Sequence, residues 1–398
     1  MKKILLIGGG TWQVPIAQQI KQAGHTLICS NLYKDSPCFE LADHSHVIDV
    51  LNKKRNLALA QAYHIDAVVT DQSDIAVPTV AYVAENMNIP GVSESIAELF
   101  TNKFLMRSEL LASSVNHPKY AVVKNVEQAA HFFITQETWM ICKPLCNQSS
   151  RGVNLVKTLS ELADAVEDTL RHSKTNSFLV EQYIPGQEVT VEGFKGIGEA
   201  HRVLGISKKR HLSANSNIAC ELEYVPDIDK RVRQKLENAT DEIFQNVLFA
   251  ITHAEFKVHE GEVYLIEAAI RGGGTKISSH IIPRLSGMNV NNLLIKSALG
   301  EPLDYIHINV SRPYAMLKFF NFQPGLVTYI HTPPRKDWPS EVIDFCLEFS
   351  VGDTLSSPND DRSRHGYVIL SAATHEALHS ALNYMENTLH VEIRREND

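Results

Sequence analysis

The sequence of 398 residues has no long apolar run and no excess of basic residues, and each absence excludes a class of protein. No stretch approaches the roughly 18–20 consecutive apolar residues of a membrane-spanning helix. Its 46 acidic residues outnumber its 38 basic residues, so the net charge is −8 and the basic footprint of a nucleic-acid-binding protein is missing. The composition therefore predicts a protein that binds neither membranes nor nucleic acid.

Regularly spaced metal ligands are also missing. Of the six cysteines only Cys142 and Cys146 lie close together, and a Cys-x3-Cys pair without a second Cys/His pair is a poor zinc site. Among the 18 histidines we find no pair with a convincing metal-ligand spacing. Scattered thiols in an acidic chain of enzyme size predict a reducing, cytoplasmic location.

The order of apolar segments predicts two or three domains, as expected for this length. Strands and helices alternate over the first hundred residues, beginning with the apolar strand Lys3–Ile7, which predicts a parallel, doubly wound sheet. From about residue 102, alternating patterns predict an antiparallel sheet, with a long amphipathic helix over Asp229–Ala250. The dipeptide Glu260-Gly261 joins two apolar strands and is typical of a hairpin turn. A small α+β segment is predicted beyond about residue 302.

The glycine run Gly8–Gly10, between the first strand and the first helix, has two interpretations. Such a run at a helix N-terminus can cradle the phosphates of a dinucleotide. However, Val14 and Pro15 occupy the region of the third glycine, and Asn31 stands where an acidic residue would end the second strand. A tight strand-to-helix turn is favoured, and a nicotinamide-dependent oxidoreductase is the weaker alternative.

Two later segments suit a nucleotide. Lys143 ends an apolar strand and precedes the polar segment 147–153, so its ammonium group and the loop amides suit a polyphosphate. Further on, an apolar strand meets Pro185-Gly186 with Glu181 and Glu188 on either side, which suits a flat base and a ribose. Taken alone, each segment is better explained without a ligand, by a solvated lysine in the first case and an ordinary strand–turn–strand in the second.

The most informative pair is Glu255 and Glu267, which flank the predicted hairpin. Register across a two-stranded hairpin can bring two such carboxylates side by side. They repel each other unless a cation joins them, and Mg²⁺ binds a few carboxylates together with phosphate oxygens. Arg271 and Lys276 follow at the two ends of a glycine run, with Arg271 as a bidentate donor for an anionic transition state.

Together, these segments resemble the ATP-grasp superfamily over nearly the whole chain, and most closely its carboxylate–amine ligases, such as bacterial L-amino-acid ligases. The resemblance implies an α/β and α+β fold, with a Rossmann-like pre-ATP domain over 1–101, an ATP-grasp domain of two subdomains over 102–301 and a small α+β closing subdomain over 302–398. It implies ATP and Mg²⁺ (with Mn²⁺ as an alternative) as cofactors. It also implies small-molecule carboxylate and amine substrates joined through an acyl phosphate, and a homodimer.

The resemblance carries roles to individual residues. Those implied to bind the nucleotide are Lys103, Lys143, Ser149, Ser150, Gly152, Glu181, Gln182, Tyr183, Ile184 and Glu188. Glu255 and Glu267 are implied to bind the metal, and Arg271 to stabilise the acyl phosphate and the tetrahedral intermediate. Residues 147–152 resemble a mobile lid. Lys276 is predicted to act with Arg271 in the acceptor pocket; in the alternative interpretation, Lys276 merely precedes a helix that Ser278 or Ser279 caps.

One departure from the family pattern keeps rival functions open. Many ATP-grasp enzymes carry an asparagine two positions after the second glutamate as a third metal ligand, and this chain has Ala269 there. A non-catalytic ATP-binding relative is therefore one alternative. A carboxylase or carbamoylating enzyme of the same superfamily, which would use bicarbonate, is the other.

Overall fold

A computed structural model of the chain describes residues 1–110, 113–145, 151–173, 175–212, 218–303, 305, 312–358, 360 and 363–395. Over these residues the chain forms four sheets with helices packed on their faces. No helix in this part of the chain is long and apolar enough to cross a membrane.

The first sheet is parallel, as the alternation of strands and helices predicts. Its strands are β1 (Lys3–Ile7), β2 (Thr26–Asn31), β3 (His44–Val47) and β4 (Ala67–Val69), in the order β3-β2-β1-β4. The helices of this region are α1 (Val14–Gln22), α2 (Lys53–Tyr63), α3 (Val77–Met87), α4 (Glu94–Thr101) and α5 (Lys103–Leu110). The sequence does not predict β3, because its His-Ser-His-Val segment lies on a largely exposed edge and has no apolar alternation.

The glycine run after β1 forms a tight turn. Gly8 has a φ of +98°, which favours glycine, and a Cβ atom at Gly9 would lie 3.0 Å from the Cys29 sulfur. Backbone conformation and close packing therefore account for the glycines at these two positions. This agrees with the favoured interpretation of the run as a tight strand-to-helix turn.

The second sheet is small and antiparallel. Its strands are β5 (Tyr120–Val123), β6 (Met140–Pro144), β7 (Asn154–Val156) and β8 (Phe178–Gln182), in the order β5-β8-β6-β7. Helices α6 (Val126–Gln136) and α7 (Leu162–Arg171) share an apolar core with this sheet.

The third sheet is the largest and antiparallel. The strands of this sheet and of the last sheet are β9 (Gln187–Lys195), β10 (His201–His211), β11 (Ala219–Tyr224), β12 (Ala250–His259), β13 (Glu262–Ala269), β14 (Tyr314–Phe319), β15 (Gly325–His331), β16 (Val342–Leu347), β17 (Thr354–Leu355), β18 (Gly366–Ala372) and β19 (His390–Arg394). The large sheet has the order β13-β12-β9-β10-β11-β14-β18-β16, and the last sheet has the order β17-β15-β19. The large sheet thus takes strands from both sides of residue 302, and the domain boundaries at 101/102 and 301/302 stay predictions.

The remaining helices pack on the large sheet or beside it. They are α8 (Lys230–Phe244), α9 (Ile282–Ser286), α10 (Val290–Ala298) and α11 (His375–Thr388), with a π-helical turn over Ile277–Ile281. The predicted helix over Asp229–Ala250 is wrong at its C-terminal end, since α8 stops at Phe244 and Ala250 begins β12. The apolar spacing continues to Ile251 in the sequence, but Ala250 and Ile251 pair with Lys195 and Phe194 of β9 and are therefore extended.

Candidate active site

A cavity of about 950 Å³ opens between the three larger sheets. This volume is at the upper end of the range for small-molecule sites, about 300–1,000 Å³. One part of its wall is apolar and comes mainly from the small sheet. The other part is charged and comes from α5, the large sheet and the loop after β4.

The apolar part of the cavity forms a slot around Tyr183. Its ring centroid lies 5.5 Å from that of Trp139, and Ile184 lines the same wall. The N–H groups of Gln182 and Tyr183 donate to backbone carbonyls at 2.8 Å each. The N–H of Ile184 has no partner among the described residues, so it is available to a flat heterocycle in the slot.

Below this slot lies a buried cluster of three charges. Glu181 accepts from Arg107 at 2.7 Å and from Lys143 at 2.6 Å, and each of the three side chains is at most 5% exposed. Burial would raise the pKa of Glu181, but the two cations outweigh it and lower the pKa. Both oxygens of Glu181 are thus engaged by protein, and Glu181 lies beneath the slot as a support for Lys143.

Replacing Glu181 with glutamine tests this cluster. The variant leaves Arg107 and Lys143 buried without a counter-ion, so we expect the free energy of unfolding to fall by about 3–5 kcal/mol. Glu167→Gln is the matched control, because its pair with Arg171 is on the surface, with side chains 64% and 73% exposed. We expect that control to change stability by less than about 0.5 kcal/mol. Urea unfolding of both variants measures the difference, and equal losses would contradict the assignment of Glu181 as a structural centre.

Helix α5 directs a second cation into the cavity. Asn102 accepts from the N–H of Phe104 at 3.0 Å and so caps the helix, which makes Lys103 its first residue. The Lys103 ammonium lies 2.7 Å from Glu267, and the attraction of that carboxylate outweighs burial and raises the pKa of Lys103. Arg107 lies four positions further on and therefore on the same face of the helix.

Glu255 and Glu267 face each other directly across β12 and β13. The turn at Glu260-Gly261 has positive φ at both residues, as a two-residue hairpin requires. A bulge then inserts Ile266, so that Glu267 and not Ile266 stands opposite Glu255. The buried guanidinium of Arg107 donates to the carbonyl of Ile266 and holds this extra residue in place.

Strand β10 adds a lysine to the carboxylate pair. Lys209 lies 2.8 Å from Glu188 and 2.9 Å from Glu255, and its side chain is only 12% exposed. Lys257 also reaches Glu188, at 3.2 Å. Burial would raise the pKa of Glu188 and of Glu255, but Lys209 outweighs it and lowers both. Both carboxylates therefore stay ionised, so a metal cation can replace the Lys209 ammonium group beside them.

His253 connects this pair to a deeper carboxylate. Its Nδ1 lies 2.7 Å from Glu192 and its Nε2 lies 3.4 Å from Glu255. Burial would lower the pKa of His253, but the two carboxylates outweigh it and raise the pKa to about 9. His253 thus supports Glu255 from behind. The sequence does not point to Glu192.

Arg271 is bound by the carboxylate of Asp74, on the side of the cavity next to the first sheet. Asp74, in the loop after β4, accepts from Nε at 2.7 Å and from Nη2 at 2.8 Å, which is a bidentate pair. Burial would lower the pKa of Arg271, but Asp74 outweighs it and raises the pKa. The remaining Nη1 bonds the carbonyl of Gly272 at 3.0 Å, so the guanidinium has a fixed orientation at the cavity wall.

The glycine loop after Arg271 is anchored to the same region. Fully buried Asp71 accepts from the N–H of Gly272 at 3.1 Å and from the Ser278 hydroxyl at 2.6 Å. Lys276 has a φ of +61° and bonds Asp344 at 2.6 Å, beside the Tyr367 ring that lines the cavity. The N-cap of the π-helical turn makes no side-chain capping bond, so neither Ser278 nor Ser279 caps it.

The structure brings most of the predicted site residues to one cavity. Those that line it are Lys103, Lys143, Glu181, Gln182, Tyr183, Ile184, Glu188, Glu255, Glu267 and Arg271. Gly152 packs against His172, where a Cβ atom would lie 2.7 Å from that side chain. Ser149 and Ser150 lie outside the described residues, and the lid over 147–152 stays a prediction. Lys276 lies beside the cavity, paired with Asp344.

Several residues of the site escape sequence reasoning. Arg107 has a usable signal, since it follows Lys103 by four positions and so shares its helix face. Asp71 and Asp74 have none, because they are about 200 positions from the loop that they hold and stand in an ordinary polar turn.

Comparison with known proteins agrees with this geometry. Residues 136–279 match the family model described as an ATP-grasp domain. A formate-dependent phosphoribosylglycinamide formyltransferase from Prochlorococcus marinus (strain MIT 9515) is 25% identical over 325 residues, which cover 77% of this chain and 78% of the relative.

Two solved structures share the fold. An L-amino acid ligase from Bacillus licheniformis superposes with a TM-score of 0.81 at 18% identity, covering 99% of each chain. The biotin carboxylase domain of the 2-oxoglutarate carboxylase from Hydrogenobacter thermophilus, in complex with MgADP, ADP and bicarbonate, has a TM-score of 0.78 at 17% identity and covers 98% of this chain and 91% of its own.

These comparisons confirm the ATP-grasp resemblance and the fold class that the sequence predicts. The neighbour from Hydrogenobacter thermophilus is a complex with MgADP, which agrees with the expected cofactors ATP and Mg²⁺. The individual roles of the site residues stay predictions.

Proposed function

We propose that this chain, whose residues 136–279 match an ATP-grasp domain, activates a small carboxylate as an acyl phosphate and couples it to an amine. The observation that carries the proposal is the convergence of Lys103, the Glu255–Glu267 pair and Arg271 on one charged wall, next to an apolar slot. A slot for a base, cations for phosphates and a fixed guanidinium for an oxyanion are the groups that such a reaction needs.

The donor set of the carboxylate pair fits Mg²⁺. Two carboxylates in direct register supply the hard oxygen ligands that this ion takes, and phosphate oxygens and water complete its shell. Lys103 and Lys209 neutralise the two carboxylates in this structure, which marks a place where positive charge is needed. Bound by Glu255 and Glu267, Mg²⁺ would supply positive charge to the β- and γ-phosphates.

The side chains of the chain then position the reactants. Lys143 and Lys103 hold the phosphates, and the N–H of Ile184 donates a hydrogen bond to the base. A substrate carboxylate oxygen attacks the γ-phosphorus, the bond from that phosphorus to the bridging oxygen breaks, and ADP leaves. Because little covalent chemistry is required of the protein, positioning and charge neutralisation supply most of the acceleration.

Arg271 acts in the second half of the reaction. The amine nitrogen attacks the acyl carbon, and the guanidinium stabilises the negative charge that develops on the carbonyl oxygen. The carbon–oxygen bond to phosphate then breaks, and the proton of the amine leaves with phosphate or water. Asp74 fixes the orientation of Arg271 throughout, which reduces the reorganisation needed in the transition state.

A phosphate-release screen of carboxylates against amines, with mass spectrometry of the products, tests the proposal. Formate, bicarbonate and amino acids belong in the acid panel because they span the smallest to the larger acyl groups. Amine-dependent ADP release with an amide product supports the proposal. Bicarbonate-dependent release without an amine indicates a carboxylase instead, and ATP binding without turnover across the panel indicates a non-catalytic module. Tight NADH binding with no effect of ATP on the melting temperature indicates an oxidoreductase.

Ala269 gives a test of the metal site. It follows Glu267 by two positions on β13, faces the cavity and is 3% exposed. Asparagine there adds an oxygen ligand, so we expect Ala269→Asn to lower the Mg²⁺ concentration for half-maximal ADP release, on the order of tenfold, since even outer-shell groups change metal affinity 10–100-fold. Ala23→Asn, at the exposed end of α1, is the control. An unchanged Mg²⁺ requirement in Ala269→Asn would place the metal elsewhere.

The setting of the reaction follows from the same proposal. We place the protein in the cytoplasm, where ATP and reduced thiols are both available, and propose a homodimer on the strength of the family resemblance. Size-exclusion chromatography with light scattering measures the molar mass in solution and so tests the homodimer directly.

A further inference from the structure

Three metal-binding side chains converge on the face of the large sheet that is turned away from the cavity. Glu223 lies on β11, and His375 and His379 lie four positions apart on α11, so they share one helix face. The Nε2 atom of each histidine is 3.0 Å from the same Glu223 oxygen, and the two ring centroids are 4.3 Å apart. Each residue thus aims one ligand atom at a common point.

This cluster is separate from the active site. Leu222 lines the cavity, and neighbouring residues on a strand point to opposite faces of the sheet. Glu223 pairs in register with Met316, whose side chain lies in the core beneath α11. Glu223 therefore belongs to the helix-covered face, on the far side of the sheet from the Glu255–Glu267 pair.

Two cations near Glu223 bind another carboxylate, and both histidines bind Glu223 itself. The neighbouring cations Arg210 and Lys318 both bind Glu221, two positions away on the same face of β11. Side-chain exposure rises from 15% at Glu223 to 33% at His379 and 59% at His375. The cluster is thus anchored at its carboxylate end and open to solvent at its histidine end, where an ion can enter and water can complete a coordination shell.

The geometry suits a first-row transition metal. Ligand bonds of about 2.0–2.2 Å in a tetrahedral shell put the ligand atoms roughly 3.3 Å apart. Both nitrogen–oxygen separations are already 3.0 Å, and all three ligand atoms lie within 4.8 Å of one another. Imidazole nitrogens favour zinc, cobalt, nickel and copper over magnesium and calcium. A set of two histidines and one glutamate, with water as the fourth ligand, therefore selects against the magnesium that we propose for the active site.

We propose that Glu223, His375 and His379 form a Zn²⁺-type metal site that fastens α11 to the large sheet. This inference goes beyond the ligase reaction and does not depend on it. In the sequence alone, His375 and His379 have no convincing metal-ligand spacing. The His-x3-His pair is a ligand pair only on a helix, and its carboxylate partner comes from a strand far away in the sequence.

Cobalt and zinc titrations of the full-length protein test the site. The protein is stripped with a chelator, desalted and titrated with CoCl₂ in excess Mg²⁺, and then with ZnCl₂. We expect one equivalent of Co²⁺ to give the visible ligand-field absorption of a four-coordinate ion, and Zn²⁺ to displace it. Glu223→Gln and His379→Asn should each weaken Co²⁺ binding by at least about tenfold, because even outer-shell partners change metal affinity that much.

His390→Asn is the matched control, because His390 is also an exposed histidine beside a glutamate, 3.3 Å from Glu392, but belongs to no group of three ligands among the described residues. Its Co²⁺ affinity should equal that of the unmodified protein. ADP release should be unchanged in Glu223→Gln and His379→Asn, since both positions lie across the sheet from the cavity.

Two results would overturn the proposal. Equal Co²⁺ affinity in the unmodified protein, Glu223→Gln and His379→Asn would show that the ion binds elsewhere, for example at the active-site carboxylates. The absence of any saturable binding in the unmodified protein would show that the two histidines only share a hydrogen-bonded carboxylate. Melting temperatures measured without metal establish that the variants remain folded, so either result is decisive.

Discussion

Replacing Arg271 with lysine is expected to lower kcat/KM for amide formation by about 10²–10³-fold, the usual cost of one lost oxyanion donor. Lysine keeps the positive charge and can still contact Asp74, so the fold and the nucleotide affinity should change little. What it loses is the planar fork, which holds Asp74 with two bonds at 2.7 and 2.8 Å and still presents a third nitrogen. The loss should therefore appear in kcat more than in KM for ATP.

Arg284→Lys is the control for this experiment. Arg284 is exposed on α9 and bonds only a backbone carbonyl, that of His280 at 2.7 Å, among the contacts described for its side chain. The same chemical change there should leave kcat within about twofold, as for surface substitutions in general. Coupled ADP-release kinetics at saturating ATP measure both variants. Turnover like that of the unmodified protein in Arg271→Lys would remove Arg271 from the mechanism.

Replacing Glu267 with glutamine is expected to lower kcat on the order of 10³-fold and to raise the Mg²⁺ concentration for half-maximal activity. The metal contributes several kcal/mol of charge stabilisation in such reactions, and each 1.36 kcal/mol corresponds to a factor of ten. Glutamine preserves the shape of the side chain but not its charge. Asp74 and Glu255, which also raise the pKa of Lys103, remain in the variant.

Glu262→Gln serves as the control on the same strand. Glu262 pairs with Lys235 at 2.6 Å at the other end of β13, and its side chain is 49% exposed. It therefore loses a lysine partner as Glu267 does, but at the surface. Initial rates as a function of free Mg²⁺ separate the two variants. If Glu267→Gln keeps both its turnover and its Mg²⁺ requirement, this carboxylate does not bind the catalytic metal.

The hairpin of β12 and β13 illustrates how far sequence reasoning reaches. The turn at Glu260-Gly261 is readable from the sequence, and so is the presence of two carboxylates on its strands. The register that pairs the two strands cannot be read from the sequence. The ladder nearest the turn pairs His259 with Glu262 and Phe256 with Leu265, and continued without change it would place Ile266 opposite Glu255. Glu267 would then point to the other face of the sheet.

The bulge that corrects this register depends on a residue remote in the sequence. Ile266 is extruded from the ladder, and Arg107 on α5 bonds its carbonyl. The sequence shows no trace of that contact, because a backbone carbonyl carries no side-chain signature. Asp74 escapes for a similar reason, since its partner Arg271 is identified by its own glycine-rich context and not by any complementary pattern near Asp74. The sequence thus shows which residues can do chemistry, whereas their partners from distant parts of the chain can be identified only from the folded structure.

The buried guanidinium of Arg107 links two walls of the cavity. It donates to Glu181 in the small sheet and to the carbonyl of Ile266 in the large sheet. Glu181 also binds Lys143, and Ile266 is the bulged residue that sets the register of Glu267. One side chain of α5 therefore fixes the positions of Lys143 and Glu267 relative to each other, although the two residues lie in different sheets.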